Sequence, residues 1–370
     1  MKKIIKKIQN FIKNLSYKIL ILFHGKIIDK VQCSKDHRVQ VLKSVFDNHY
    51  EYSIYKIDKA RLYTDRVHDM AVILDNSIVE GPSYQLRPIN NVEVEKNIVF
   101  EKGTPRIRKE LKGTILSLLT GGAGNNNFFH WMFDVLPRIG ICEKILNISQ
   151  IDYFLLPNLE KKFQSESLDI LGVPKNKRLS SKNYRHISGS QIIATSHPYC
   201  FKNDASNEIQ NIPIWISNWL RKSFLKNNIS DKKKQRNIYI DRADADSNTK
   251  KLRSIVNEKE VKSFLKNRDF EFVALGNMPL IEQIETISNA RIIVGLHGAG
   301  FANFCFCKPN TKIIEMKSNT AGKMYENLAK SNNLIYRDIS CKPEKFNYEN
   351  QYGHIKISID ELKNKLESFD

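Results

Sequence analysis

The chain has 370 residues, enough for two domains that each bury a core. Hydrophobic residues make up 41% and charged residues 27%, which excludes a disordered chain. Lys and Arg outnumber Asp and Glu by 59 to 40, a net +19, so anionic partners are favoured: nucleic acid, acidic lipid, nucleotide phosphate or acidic glycan.

In chain order, the first element is an amphipathic helix. Ile4, Ile8, Phe11, Ile12, Leu15, Ile19 and Leu22 share one helical face, and Lys2, Lys3, Lys6, Lys7 and Lys13 crowd the opposite side. That pattern fits a helix lying on an anionic membrane surface; the alternative is a helix docked on the protein's own core. No stretch reaches the roughly 18–20 apolar residues that span a bilayer. Lys13, Asn14 and Lys18 interrupt the apolar part, and no small-residue cleavage site follows, which argues against a signal peptide. Residues 36–110 read as β-rich, with a hairpin at Asp75-Asn76. Strand 114–119 runs into Gly121, Gly122 and Gly124, and a helix is predicted over about 127–146. Strand 153–157, a helix near 160–171 and strand 191–195 continue an α/β pattern. An aromatic helix, IWISNWLRKSFL, precedes the polar run NNISDKKKQR, which marks the domain boundary.

The second half alternates strand and helix: strands at 237–242, 270–275, 291–295 and 312–316, and helices starting at Asn257 and Pro279, over 300–306 and over 322–331. Asn257 with Glu260, and Ser358 with Glu361, have capping-box spacing. A parallel sheet covered by helices on both faces is expected. The six cysteines, at 33, 142, 200, 305, 307 and 341, form no zinc-type pairs and suggest a reducing, cytoplasmic compartment.

Three places carry candidate chemistry. Gly295-Leu296-His297-Gly298-Ala299-Gly300 sits where a buried strand passes into a helix. Glycines let backbone approach a ligand, the helix end offers N–H groups, and His297 adds a donor, so diphosphate is the natural guest; a tight turn with a packing His is the plainer alternative. Arg242 ends strand 237–242, where its planar fork would grip phosphate, unless it pairs with Asp244 or Asp246. Glu315 ends strand 312–316, a place from which a carboxylate accepts ribose hydroxyls, unless it pairs with Lys317. In the first half, His130 and Asp134 share a helical face, so Asp134 would orient His130 as a general base, and Asn127 and Arg138 fall on the same face as acceptor-binding candidates. The alternative there is an Asp134–Arg138 ion pair beside a satisfied core His. No carboxylate arrangement demands a metal; a DxD pattern occurs only at Asp244-Ala245-Asp246, on a charged loop.

Three segments together resemble glycosyltransferase family 61: 125–139, 237–261 and 290–316, the last with its order of strand, HGAG, apolar stretch, Lys-Pro, strand and Glu. The resemblance covers about 115–335, includes Tyr325, and leaves residues 1–110 without a usable motif. Asp241 stands where the family pattern usually has Ser. The resemblance implies an α/β fold of the GT-B type, two Rossmann-like domains facing a central cleft, and inverting, metal-independent transfer from a nucleotide-sugar, usually UDP-linked. It also implies that Arg242, His297 and the turn of Gly298, Ala299 and Gly300 hold the diphosphate. Bacterial members are associated with capsule, lipopolysaccharide and related glycans.

The expected organisation is a membrane-associating helix over 1–30, an acceptor-binding domain over 31–230, and a donor-binding domain over 231–370 whose last helix is free to return to the first half. The expected function is transfer to a hydroxyl of a cell-surface or lipid-linked glycan, on the inner face of the cell membrane, without a resident cofactor. A nucleic-acid-binding protein is the competing function, but an RNP-type strand, zinc finger or compact basic stripe is lacking, so no nucleic-acid partner is expected. A glycan-binding protein without activity is a third.

Overall fold

The computed structural model describes residues 2–64, 70–83, 94–120, 126–202, 204–225, 235–245, 252–344 and 353–369. The chain divides into two compact units, Met1–Gln164 with Gly172–Glu208, and Ser165–Leu171 with Ile209–Asp370. Of the polar run expected at the boundary, 227–236, residues 227–234 lie outside the described residues, and Arg236 already begins the next strand.

Unit 1 opens with helix α1 (Lys2–His24) and then builds two six-stranded sheets. The first contains β1 (Asp29–Val31), β4 (Arg61–Thr64), β5 (Met70–Leu74), β6 (Ser77–Val79), β7 (Lys109–Glu110) and β11 (His186–Ser188). Its order is β1-β6-β5-β4-β11-β7. The second contains β2 (Val39–Phe46), β3 (Tyr50–Asp58), β8 (Thr114–Ser117), β9 (Tyr153–Leu156), β10 (Arg178–Ser180) and β12 (Gln191–Thr195), in the order β10-β9-β8-β12-β3-β2. Here β10, β9, β8 and β12 are parallel, while β3 and β2 are antiparallel additions. Unit 1 therefore departs from the simple Rossmann-like domain expected. The cause is local. Asp47 and Asn48 (φ 48° and 59°) and Asp75 (φ 52°) take left-handed conformations that close tight hairpins, so residues 36–79 meander instead of crossing over through helices. The hairpin predicted at Asp75 forms, with Leu74 opposite Ser77. Both sheets share one core: Leu62 and Val72 from the first meet Ile57, Ile115, Leu155 and Ile192 from the second.

Unit 2 is more regular. Strands β13 (Arg236–Ile240), β15 (Phe270–Val273), β16 (Ala290–Leu296), β17 (Lys312–Ser318) and β18 (Ile335–Cys341) form a wholly parallel sheet in the order β15-β13-β16-β17-β18. A small pair, β14 (Arg253–Ile255) with β19 (Gly353–Ile355), lies outside that sheet. Ile292-Ile293-Val294 in β16 and Ile313-Ile314 in β17 are apolar in succession because both faces of the sheet are covered. Helices Glu258–Lys266, Leu280–Ser288 and Met324–Ser331 form crossovers. The first turns Val261 and Leu265, four apart, onto the core. The last helix, Ile359–Glu367, is capped by Ser358 as its spacing predicts, and Leu362 and Leu366 join this same core, so the helix belongs to unit 2. The Asn257 side chain accepts no backbone N–H of its helix's first turn; its amide donates to the Glu260 carboxylate (2.8 Å) and to the Ile357 carbonyl, and its oxygen accepts from the Ile357 N–H. The aromatic helix Ile214–Phe224 also belongs to unit 2, because Arg221 donates to the carbonyls of Cys305 (3.0 Å) and Cys307 (2.6 Å). All six cysteines are free.

The strand order of unit 2 reverses between β13 and β16, since the chain moves outward from β13 to β15 and then returns to the other side. In open α/β sheets such a reversal opens a crevice at the strand carboxyl ends, where ligands bind.

Candidate active site

The residues at that reversal are Arg242, two beyond the end of β13, and His297, one beyond the end of β16. The Arg242 Nη1 donates to the His297 carbonyl at 3.4 Å, and Arg253 Nη1 donates to the same oxygen at 3.2 Å. Two guanidinium groups thus converge on one neutral acceptor. The Arg242 pKa is pushed down to about 10, first by burial and then by the Arg253 charge. Among the described residues Arg242 forms no ion pair with a carboxylate: Asp244 accepts from the backbone N–H of Gly276 (2.6 Å), and Asp241 is paired with Lys262 at 2.9 Å. Arg253 was missed by sequence reasoning, because it sits in a run of scattered basic residues and is brought here only by the long-range pairing of β14 with β19.

The glycine turn has different reasons at different positions. A Cβ on Gly295 would lie 2.9 Å from Phe301 Cε1 and 3.2 Å from Ile240 Cβ, so glycine is required for β16 to pack against β13. Gly298 is extended (φ 167°), and a Cβ there would sit 3.7 Å from the Arg242 guanidinium. The helix expected over 300–306 is a 3₁₀ turn from Ala299 to Phe306. Its three-residue repeat stacks the rings of Phe301 and Phe304 at 4.6 Å.

Glu315 was expected at a strand end, facing ribose. Strand β17 instead runs on to Ser318, and the carboxylate is completely buried. Its two oxygens hold His297 Nδ1 and the Tyr336 hydroxyl. Lys317, its alternative partner, pairs with Asp338 (3.2 Å). Burial, reinforced by the Glu315 charge, drives the Tyr336 hydroxyl pKa upward, so this phenol remains a donor. The ring of Tyr325 stands edge-on to His297 at 5.0 Å. Glu315 and these two tyrosines fix the His297 ring from behind.

Unit 1 holds a second cluster. Asn127 caps a helical segment over 128–143, accepting from the Phe129 N–H at 2.9 Å. The segment is α-helical over Phe128–His130, a wide π turn over Trp131–Val135, and α-helical again over Pro137–Glu143. Pro137 explains the widening: it has no N–H for the Phe133 carbonyl and its ring would clash there. His130 Nδ1 lies 2.9 Å from Asp134 Oδ2. Asp134 is only 2% exposed, whereas His130 reaches the surface at 21%.

Arg138 is a correction. Its side chain is wholly buried, so it offers nothing to an acceptor. Nε donates to the backbone carbonyl of Asp134 (2.9 Å) and Nη1 to the carbonyl and hydroxyl of Thr195 (3.2 and 3.1 Å), tying the helix to β12. Sequence reasoning also missed His197, whose Nε2 lies 4.0 Å from Asp134 Oδ2. The His197 Nδ1 accepts from the N–H groups of Tyr199 (3.3 Å) and Cys200 (3.1 Å), which places its proton on the Asp134 side. Burial pushes the His197 pKa down to about 3 against the pull of Asp134. The available signal was a His two residues past a parallel strand, which is where crevice residues fall.

Gly121, Gly122 and Gly124 lie outside the described residues, as does Asp246 of the DxD pattern. Among the described residues no three His, Cys, Asp or Glu side chains converge as metal ligands.

The fold defines unit 2 as an α/β unit with a parallel sheet whose order reverses at Arg242 and His297, where Arg253 joins them. The chain matches the family model described as Glycosyltransferase 61 over residues 128–314, just over half its length, and it belongs to that family. It is a glycosyltransferase, and membership implies a nucleotide-sugar donor and a glycan acceptor. The match includes His130, Asp134, His197, Arg242, Arg253 and His297, and ends one residue before Glu315. No match is found among curated proteins.

Proposed function

We propose that the chain is an inverting, metal-independent glycosyltransferase of GT-B architecture, with unit 1 serving the acceptor and unit 2 the donor, probed best as a UDP-sugar. The observation that carries this is the pair Arg242 and Arg253 on the His297 carbonyl. Fixed cations at the strand ends would take the charge that grows on a leaving diphosphate, the task a metal performs elsewhere. Glu315 acts through His297 as a positioning residue, and does not meet ribose. With its Nδ1–H turned to Asp134, His130 presents Nε2 to an acceptor hydroxyl. That oxygen forms a bond to the anomeric carbon as the opposite bond to diphosphate breaks. The proton passes to Nε2, the electron pair leaves with the diphosphate, and a single displacement inverts the anomer.

The same reading places the enzyme at the cytoplasmic face of a membrane, acting on a cell-surface or lipid-linked glycan. Its support is that α1 leaves Phe11, Leu22 and Phe23 at least 70% exposed. Among the described residues no helix is long and apolar enough to cross a membrane.

Calorimetric titration with UDP, with and without EDTA, tests the donor side. Binding is expected to survive EDTA and to weaken at least about tenfold in Arg242→Ala, the scale of one lost charge-assisted contact. Loss of binding in EDTA would remove metal independence; equal affinity in the variant would remove Arg242 from the donor site.

A further inference from the structure

Helix α1 meets unit 1 through one side only. Tyr17 packs on Gly103, where a Cβ would lie 2.4 Å from the ring. The His24 ring stands edge-on to His186 at 4.7 Å, and the His24 carbonyl accepts from Arg61 Nη2 at 3.0 Å. The stripe of Ile4, Ile8, Phe11, Ile12, Leu15, Ile19 and Leu22 lies on the other side and stays exposed. The helix is thus docked by its more polar side, with its apolar side outward, the reverse of a helix packed to fill its own core.

Between α1 and the body lies a cavity of about 410 Å³. Ser16 and Leu20 of the helix form one wall; Arg106, Lys182, Asn183 and Arg185 form much of the rest, and among the described residues no Asp or Glu lines it. Lys182 also reaches Glu160 at 2.9 Å, a surface pair. Behind the cavity, Arg61 is 5% exposed and, among the described residues, bonds to neutral groups alone: the Thr104 hydroxyl, His186 Nε2 and the carbonyls of His24 and Asp75. A cation buried without a counter-ion is costly, and an anion in front of it offsets that cost. The local field agrees. Arg61 is pushed down to about 10 by burial and then by Arg108, and His24 is lowered by burial and then by Arg61 and Arg108.

We propose that this cavity receives the phosphate group of an anionic membrane lipid. The proposal rests on α1 lying at a membrane surface. An interfacial helix sinks its apolar face into the boundary between headgroups and acyl chains, so a cavity sharing Ser16 and Leu20 with that helix opens at the depth of the phosphates. Arg106 and Arg185 supply the planar forks that suit phosphate oxygens. Ile107, 79% exposed beside them, enters the apolar layer.

The test is sedimentation of the full chain with vesicles of phosphatidylcholine alone and of phosphatidylcholine mixed with phosphatidylglycerol. The wild-type chain is expected to prefer the mixed vesicles. Arg106→Ala with Arg185→Ala should lose more than about 30-fold on mixed vesicles, beyond the loss from two ordinary surface cations. It should be unchanged on phosphatidylcholine. Lys6→Ala with Lys7→Ala removes the same charge from α1, and an equal loss there would overturn the cavity. Equal binding of the wild type to both vesicles overturns the phosphate site while leaving the membrane reading in place. Phe11→Ser with Leu15→Ser should weaken both, and a wild type that binds neither vesicle ends both proposals. Inorganic phosphate displacing the chain better than chloride at the same ionic strength would assign the cavity to free phosphate instead of lipid.

Discussion

His130 owes its poise to its neighbours more than to its own place on a helix. Asp134, nearly fully buried, stands between His130 Nδ1 at 2.9 Å and His197 Nε2 at 4.0 Å. His197 is locked by two backbone donors and stays neutral, so it neighbours the carboxylate without neutralising it, while the Tyr199 hydroxyl hydrogen-bonds the same carboxylate. A carboxylate fixed in this way holds the His130 ring in one tautomer, with the basic nitrogen outward. His130→Ala is therefore expected to leave UDP affinity unchanged and to lower kcat by roughly 10²–10⁴-fold, the contribution of a positioned general base. Single-turnover kinetics at saturating donor, with calorimetry on the same variant, reads both quantities. A kcat within a factor of about three of wild type would exclude His130 from the proton transfer, since a base contributes far more than that.

At the scale of elements, the join between β13 and β16 is the tightest constraint on the donor edge. Gly295→Ala would press its methyl group between Phe301 and Ile240, both core residues that cannot swing away. The expected cost is about 1–3 kcal/mol of stability, as for other overpacked sites, with weaker UDP binding because Arg242 and His297 lie just beyond the ends of the two displaced strands. Urea unfolding and UDP calorimetry check the pair of effects; an unaltered midpoint would show that the strands have room to part. These strands were legible beforehand because runs such as RIIVGL carry their burial on both faces in their composition. The Ser358 cap and the Asp75 hairpin were legible because their chemistry is local. The Pro137 π turn was not, since periodicity assumes one helical repeat throughout. Nor were Arg253, His197 and the buried role of Arg138. Arg253 reaches the site through a pairing of Arg253 with Gly353 across 100 positions, and Arg138 through Thr195 across 57, separations that no local pattern encodes. Residues 36–110 were read as β-rich; β2 to β6 lie within Val39–Val79, whereas Val94–Lys96 and Ile98–Lys102 are helical, and sheet partners as distant as β11 and β12 kept the topology hidden.

For the molecule as a whole, the excess of +19 raises the energy of further protonation, and unit 1 buries two histidines that already resist it. His186 and His197 are each 5% exposed or less, and burial pushes both pKa values down to about 3 from 6.5. Both are neutral in the folded chain and gain a proton when the chain unfolds below pH 6.5. The unfolded state then binds more protons, so stability is full above pH 6.5 and falls as pH drops towards 3. Each histidine contributes about 1.4 kcal/mol per pH unit inside that window, or roughly 4 kcal/mol for the pair between pH 7 and pH 5. His197 lies beside Asp134 and His186 lines the basic cavity, so the loss would reach both through one unit. Scanning calorimetry of the full chain at pH 7 and pH 5 should show a transition that moves strongly downward with acid. His186→Gln and His197→Gln, measured separately, should each lower the starting stability and remove about half of that pH slope. A slope unchanged in both variants would show that other groups, with carboxylates first among them, set the acid sensitivity.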